Sequence, residues 1–115
     1  MSVLGFNAAF QKQPGEQITI KASFNEVASS LVVAGYSLNN CDLTIYDSAG
    51  ASVNNNMISG NATVDGNNSD VFVKIVAGSD GQNYYAKFKT GWTCNAEPDQ
   101  IIERDLLIQV REKGY

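Results

Sequence analysis

Asp80-Gly81-Gln82-Asn83 runs directly into Tyr84-Tyr85-Ala86-Lys87-Phe88, so a tight turn opens an alternating strand with a tyrosine four residues after an aspartate. Gly and Asn supply the turn, and the alternation that follows is the period of a strand buried on one side. A tyrosine so placed can bury its ring while its hydroxyl reaches the backbone just upstream. One residue, Tyr84, then fixes how the chain crosses from one sheet to the other. This corner requires a two-sheet antiparallel protein.

The remaining segments agree with that requirement. Residues 17–24 alternate with Ile18, Ile20 and Ala22 in one phase, and Leu31-Val32-Val33-Ala34-Gly35-Tyr36 reads as a second, β-branched strand ending near Asn39-Asn40. Cys41, Leu43 and Ile45 share a face of a third strand, closed by Asp47-Ser48-Ala49-Gly50. Residues 51–60, with asparagines at 54, 55 and 56, read as a loop or a poor edge strand. Asn61-Ala62-Thr63-Val64 is a short fourth strand, and Val71, Val73 and Ile75 face inward on a fifth opposite the solvated Lys74. The sixth carries Tyr84, Ala86, Phe88, Thr90, Trp92 and Cys94 in one phase, and the last spans 104–111 with Leu106, Ile108 and Val110 inward. About seven short strands at roughly ten-residue spacing imply an all-β, immunoglobulin-like antiparallel β-sandwich. At 115 residues the chain suits one domain over 1–115, with residues 1–12 read as a flexible arm.

In that arrangement the third and sixth strands are antiparallel neighbours, which predicts that Cys41 and Cys94 lie close together. Trp92 is expected in the core. The 39–40, 65–70 and 95–100 connections are expected to gather at one end as an amide-rich, mildly acidic interaction tip formed by Asn39, Asn40, Asp65, Asn67, Asn68, Asp70, Asn95, Glu97 and Asp99. Tyr36, Tyr46 and Tyr85, in or near the outward phase, form a candidate interaction face.

Chemistry finds little foothold. The chain contains no histidine, which removes the commonest general base and imidazole ligand. No nucleophile-base pairing, phosphate-cradling glycine loop or cysteine cluster at metal spacing is present, so no catalytic, metal or cofactor residue is assigned. Asp65-Gly66-Asn67-Asn68-Ser69-Asp70 looks like a calcium loop only in part, since Asp70 stands where that loop needs glycine and Val76 where it needs glutamate. Glu97 and Asp99 read as solvated loop carboxylates. A net charge of −4 argues against nucleic acid or an anionic membrane as partner. The first six residues lack a basic leader and an apolar run, so we expect no signal-peptide export, thiols in a reducing cytoplasm, and no use of the sequons at Asn61 and Asn67.

Four stretches carry a likeness spread over nearly the whole chain: Phe10-Gln11-Lys12-Gln13-Pro14-Gly15-Glu16; Asp47-Ser48-Ala49-Gly50; Val73-Lys74-Ile75-Val76-Ala77-Gly78-Ser79-Asp80-Gly81-Gln82-Asn83-Tyr84; and Leu106-Leu107-Ile108-Gln109-Val110-Arg111-Glu112. In these the chain resembles small structural proteins of tailed phages and prophages, of the fiber or tail adaptor type. It departs from them at Ala77-Gly78-Ser79, where such proteins tend to have two glycines and a threonine, and over residues 92–100. The resemblance implies a non-enzymatic virion component, present in repeated copies at a head-tail or tail-fiber junction, whose partners are other virion proteins or further copies of itself and which resides in the virion or the host cytoplasm. A carbohydrate- or surface-binding module using the exposed tyrosines is the alternative, and an accessory domain of a metal-dependent hydrolase a remote third.

Overall fold

A computed structural model of the chain describes residues 2–4, 9–95 and 97–112, and at 2–4, 54, 55 and 97 it describes the backbone alone. The described residues form eight strands in two four-stranded sheets. One has the order β1 (Ser2–Leu4), β3 (Ile18–Ser23), β6 (Asp70–Ile75), β5 (Ile58–Asp65), and the other β2 (Phe10–Lys12), β8 (Glu97–Val110), β7 (Asn83–Cys94), β4 (Ser37–Tyr46). The runs β3-β6-β5 and β8-β7-β4 reproduce the B-E-D and G-F-C strand orders of immunoglobulin sandwiches. The fold is therefore an all-β sandwich, with one strand more than the sequence suggested.

Period-two alternation builds the core. Ile20 and Ala22 of β3 and Val71, Val73 and Ile75 of β6 face Leu43 and Ile45 of β4, Ala86, Phe88 and Trp92 of β7, and Leu106, Ile108 and Val110 of β8, all of them buried. The Phe24 and Phe88 rings meet across the layers at 6.2 Å between centroids. Trp92 is fully buried with its indole satisfied: Nε1–H donates to Thr90 Oγ1 at 2.9 Å, and that hydroxyl donates to the Ile102 carbonyl at 2.8 Å.

Several readings of the sequence are corrected, among them the 95–100 connection, since residues 97–100, Glu97 and Asp99 included, already belong to β8. Residues 31–36 are not a strand: Ser29–Val33 form one helical turn, α1. It ends where the Gly35 amide donates to the Val32 carbonyl and the Tyr36 amide to the Leu31 carbonyl, with Gly35 at φ +94°. That pair of bonds is a Schellman motif, which needs a residue free to adopt positive φ at the glycine position. Residues 39–40 are consequently not a connection, because β4 already begins at Ser37 and they lie within it. Residues 51–60 hold a second helical turn, α2 (Asn54–Met57), before β5 starts at Ile58. Within residues 1–12, read as an arm, 2–4 pair in parallel with β3 and 10–12 in parallel with β8.

The corner between β6 and β7 is held by side-chain as well as backbone hydrogen bonds. The Tyr84 ring is buried, and its hydroxyl oxygen accepts the Ser79 amide at 3.0 Å. Ahead of it Ala77 sits at φ 56° and Gly78 at φ +95°. An L-residue in the left-handed region costs about 1–2 kcal/mol, so Ala77→Gly is expected to stabilise the fold by about 0.5–1 kcal/mol after the added flexibility of the unfolded chain is subtracted. Urea denaturation checks this, and an unchanged or lower midpoint would contradict it.

Candidate functional site

Lys12, to which the sequence assigns no role, ties this corner to the end of β2. It lies at the end of β2 and is 3% exposed. Its Nζ donates to the carbonyls of Gln13 at 2.8 Å, Pro14 at 3.4 Å and Ala77. Arg111 continues the stitching, donating to the Gln82 carbonyl at 3.0 Å and to Asn83 Oδ1 at 2.8 Å, while the Glu112 amide reaches Asp80 Oδ1 at 2.8 Å. A lysine at a strand end is normally solvated, so no local pattern in the sequence distinguishes this one.

At the opposite end, several residues of the expected tip do meet. Asn39, Asn40, Asp42, Asp99, Gln100 and Ile101 line a groove of about 300 Å³ that also reaches Lys89 and Gly91. The Asn40 amide lies over Gly91, where an added Cβ would stand 2.7 Å from its Oδ1. The β5–β6 hairpin reaches the same end, with Gly66 against the Leu38 carbonyl. Its polar groups serve the turn. Asp65 accepts the Asn67 and Asn68 amides at 3.1 and 3.3 Å and the Asn68 side-chain amide at 2.8 Å; the last of these contacts is the main reason its carboxyl is held below the usual range. Asp70 is buried beside Lys21, 3.9 Å from its Nζ. Asn67, Asn68 and Asn95 are exposed, and the side chain of Glu97 lies outside the described residues. Among the described residues no three Asp, Glu or Cys side chains converge in a way that could hold a metal ion.

The tyrosines do not form one face. Tyr46 and Tyr85 are directly opposite each other in the β4–β7 ladder, with Tyr85 45% exposed. Tyr36 is at the far end of that ladder, half-buried, and its hydroxyl donates to the Pro98 carbonyl at 3.0 Å.

Cys41 and Cys94 are both free thiols and are not opposed. Because β4 begins four residues earlier than expected, Cys41 faces Thr90, and Cys94 lies four residues further on, roughly 13 Å along the strand. A disulfide needs Cα atoms within about 7 Å, so the pair cannot bridge without moving the backbone. Burial, and then the adjacent Asp42 carboxylate, push the Cys41 thiol up from 9.0 to about 12. Three pKa units remove about a thousandfold of thiolate, so Cys41 should resist alkylation in the folded protein and react once urea unfolds it. Peptide mass spectrometry after iodoacetamide treatment checks this, and rapid native labelling of Cys41 would contradict it.

Among the described residues no helix is long and apolar enough to cross a membrane. No protein-family model matches the chain, and no relative was found among curated proteins.

Proposed function

We propose that the chain is a non-enzymatic structural module of a phage or prophage virion, an adaptor at a head-tail or tail-fiber junction that works through protein contacts. The observation that carries this reading is the open length of β8. The strand is 14 residues long, yet β2 pairs only with Ile108, Gln109 and Val110, so among the described residues 97–107 have no strand partner but β7. A strand edge of this length is a template for strand addition by another chain. Pro98, Asp99, Glu103, Arg104 and Asp105 guard it against indiscriminate pairing and leave it to a matched partner. The stretches that carry the phage resemblance also include the Tyr84 corner and the end of β8 that is hydrogen-bonded to it.

The test is particle composition. The protein should be found in purified particles at a fixed ratio to a tail or connector protein, and its deletion should stop assembly at one stage. Absence from particles, together with intact assembly in the deletion, would refute the reading. The sugar-binding alternative retains the Tyr46–Tyr85 pair, since Tyr36 is tied to Pro98. Glycan-dependent fluorescence abolished by Tyr85→Ala would favour it over the adaptor.

A further inference from the structure

The outward face of β8-β7-β4 carries a pattern that strand addition at the β8 edge does not use. Tyr84, Ala86, Phe88, Thr90 and Trp92 are buried, so Tyr85, Lys87, Lys89 and Gly91 form the outer column of β7. The register places Leu107, Asp105, Glu103 and Ile101 beside them on β8, and Tyr46, Thr44, Asp42 and Asn40 beside them on β4. A column with two lysines thus stands between columns that carry carboxylates, with apolar residues at both ends. Among the described residues no carboxylate comes within 4.0 Å of the ammonium of Lys87 or Lys89. Ile101, 64% exposed, stands on the rim of the groove floored by Asn40 and Gly91.

This pattern is self-complementary. A two-fold axis parallel to the strands and midway between β7 and β8 sets the β7 column of one copy over the β8 column of another at the same level. Lys87 then faces Asp105 of the second copy, Lys89 faces Glu103, Tyr85 covers Leu107, and each Ile101 sits over the opposite Gly91 groove. We propose that this face pairs with the same face of a second copy of the chain, forming an isologous dimer about that axis. Within one chain the charged columns lie side by side in water, where exposed pairs contribute little. A facing copy excludes that water and gives each lysine a carboxylate across the interface. The face runs from Tyr85 to Gly91 of β7, roughly 20 Å, and across three strands at about 4.8 Å spacing. That places it among small, transient interfaces, so the dimer is weak and weakens further in high salt. The inference stands apart from the virion reading and does not require it.

Sedimentation velocity over a concentration series tests it with two double variants, Lys87→Glu with Lys89→Glu and Glu103→Lys with Asp105→Lys, each first shown by circular dichroism to be folded. The wild type should dimerise at low salt and dissociate in molar salt. Each variant alone should remain monomeric, because like charges then face each other. An equimolar mixture should form a 1:1 dimer, because every facing pair is again opposite in sign. Ile101→Asp, at an exposed position, should weaken the wild-type dimer at least tenfold. A wild type that stays monomeric to millimolar concentration overturns the proposal, as does a dimer that survives in either double variant alone. A mixture of the two variants that fails to associate overturns it equally.

Discussion

Gly78→Ala is expected to lower the unfolding free energy by about 2–4 kcal/mol, although it adds a single methyl group. Two effects combine. At φ +95° the backbone is in a region that L side chains rarely adopt, which accounts for about 1–2 kcal/mol. The new Cβ would also stand 2.8 Å from Val110 Cγ2, 3.2 Å from Met57 Cε and 3.5 Å from Tyr84 Cε2. The methionine end can give way, but Val110 cannot. It is fully buried and β-branched, its amide donates to the Gln82 carbonyl at 3.0 Å, and its own carbonyl accepts the Gly81 amide at 2.9 Å. Gly81→Ala is the internal control. It shares the positive φ, at +82°, but an added Cβ there meets nothing within 4 Å, so it should show the backbone strain without the clash. Urea midpoints at unchanged slope measure both. A Gly78→Ala loss no larger than that of Gly81→Ala would mean that the loop swings clear of Val110 and is not held as described.

What could be read from the sequence follows the range of the forces involved. β3, β6 and β7 were legible because alternation over six or more residues reflects burial on one face, and each strand supplies that face from its own residues. The Tyr84 corner was legible because its signal is local, a turn followed by a ring. Residues 31–36 misled because Leu31-Val32-Val33 has strand composition and only its surroundings exclude a strand: β4, starting at Ser37, takes the place beside β7. Val33 is left 88% exposed on α1, which composition would not suggest. The signal that could have located this helix is Gly35 followed by an aromatic residue, the ending of a Schellman motif.

At the candidate sites the misses share one origin. The distance between Cys41 and Cys94 depends on where β4 begins, and a shift of four residues turns expected neighbours into residues roughly 13 Å apart. Phase alone groups Tyr36 with Tyr46 and Tyr85, whereas the length of the ladder sets it at the other end. Asn39, Asn40 and Asp99 do share a groove, although all three reach it from strands, the first two from β4 and Asp99 from β8, and not from loops. Lys12 had no local signal, because all that distinguishes it is the Ala77 carbonyl 65 residues away in sequence.

Lys12 therefore gives the second large effect. Lys12→Met, which keeps most of the stem and removes the ammonium, should cost about 2 kcal/mol by withdrawing a charged donor from the Gln13, Pro14 and Ala77 carbonyls. Lys12→Ala should cost about 3–4 kcal/mol, because the buried stem is lost as well. The pH dependence separates charge from packing. Burial lowers the Lys12 ammonium below its ordinary 10.5 and outweighs the Glu16 carboxylate, which raises it. Between the lowered folded value and 10.5 the unfolded chain holds more protons than the folded one, so the contribution of Lys12 to stability rises with pH across that window. Lys12→Met lacks this titration, so the gap between wild type and variant should widen as pH climbs from neutrality toward 10.5. Urea denaturation of both proteins across that range measures it. A gap that stays flat or narrows would show an ammonium in contact with water, and with it a corner less closed than these hydrogen bonds describe.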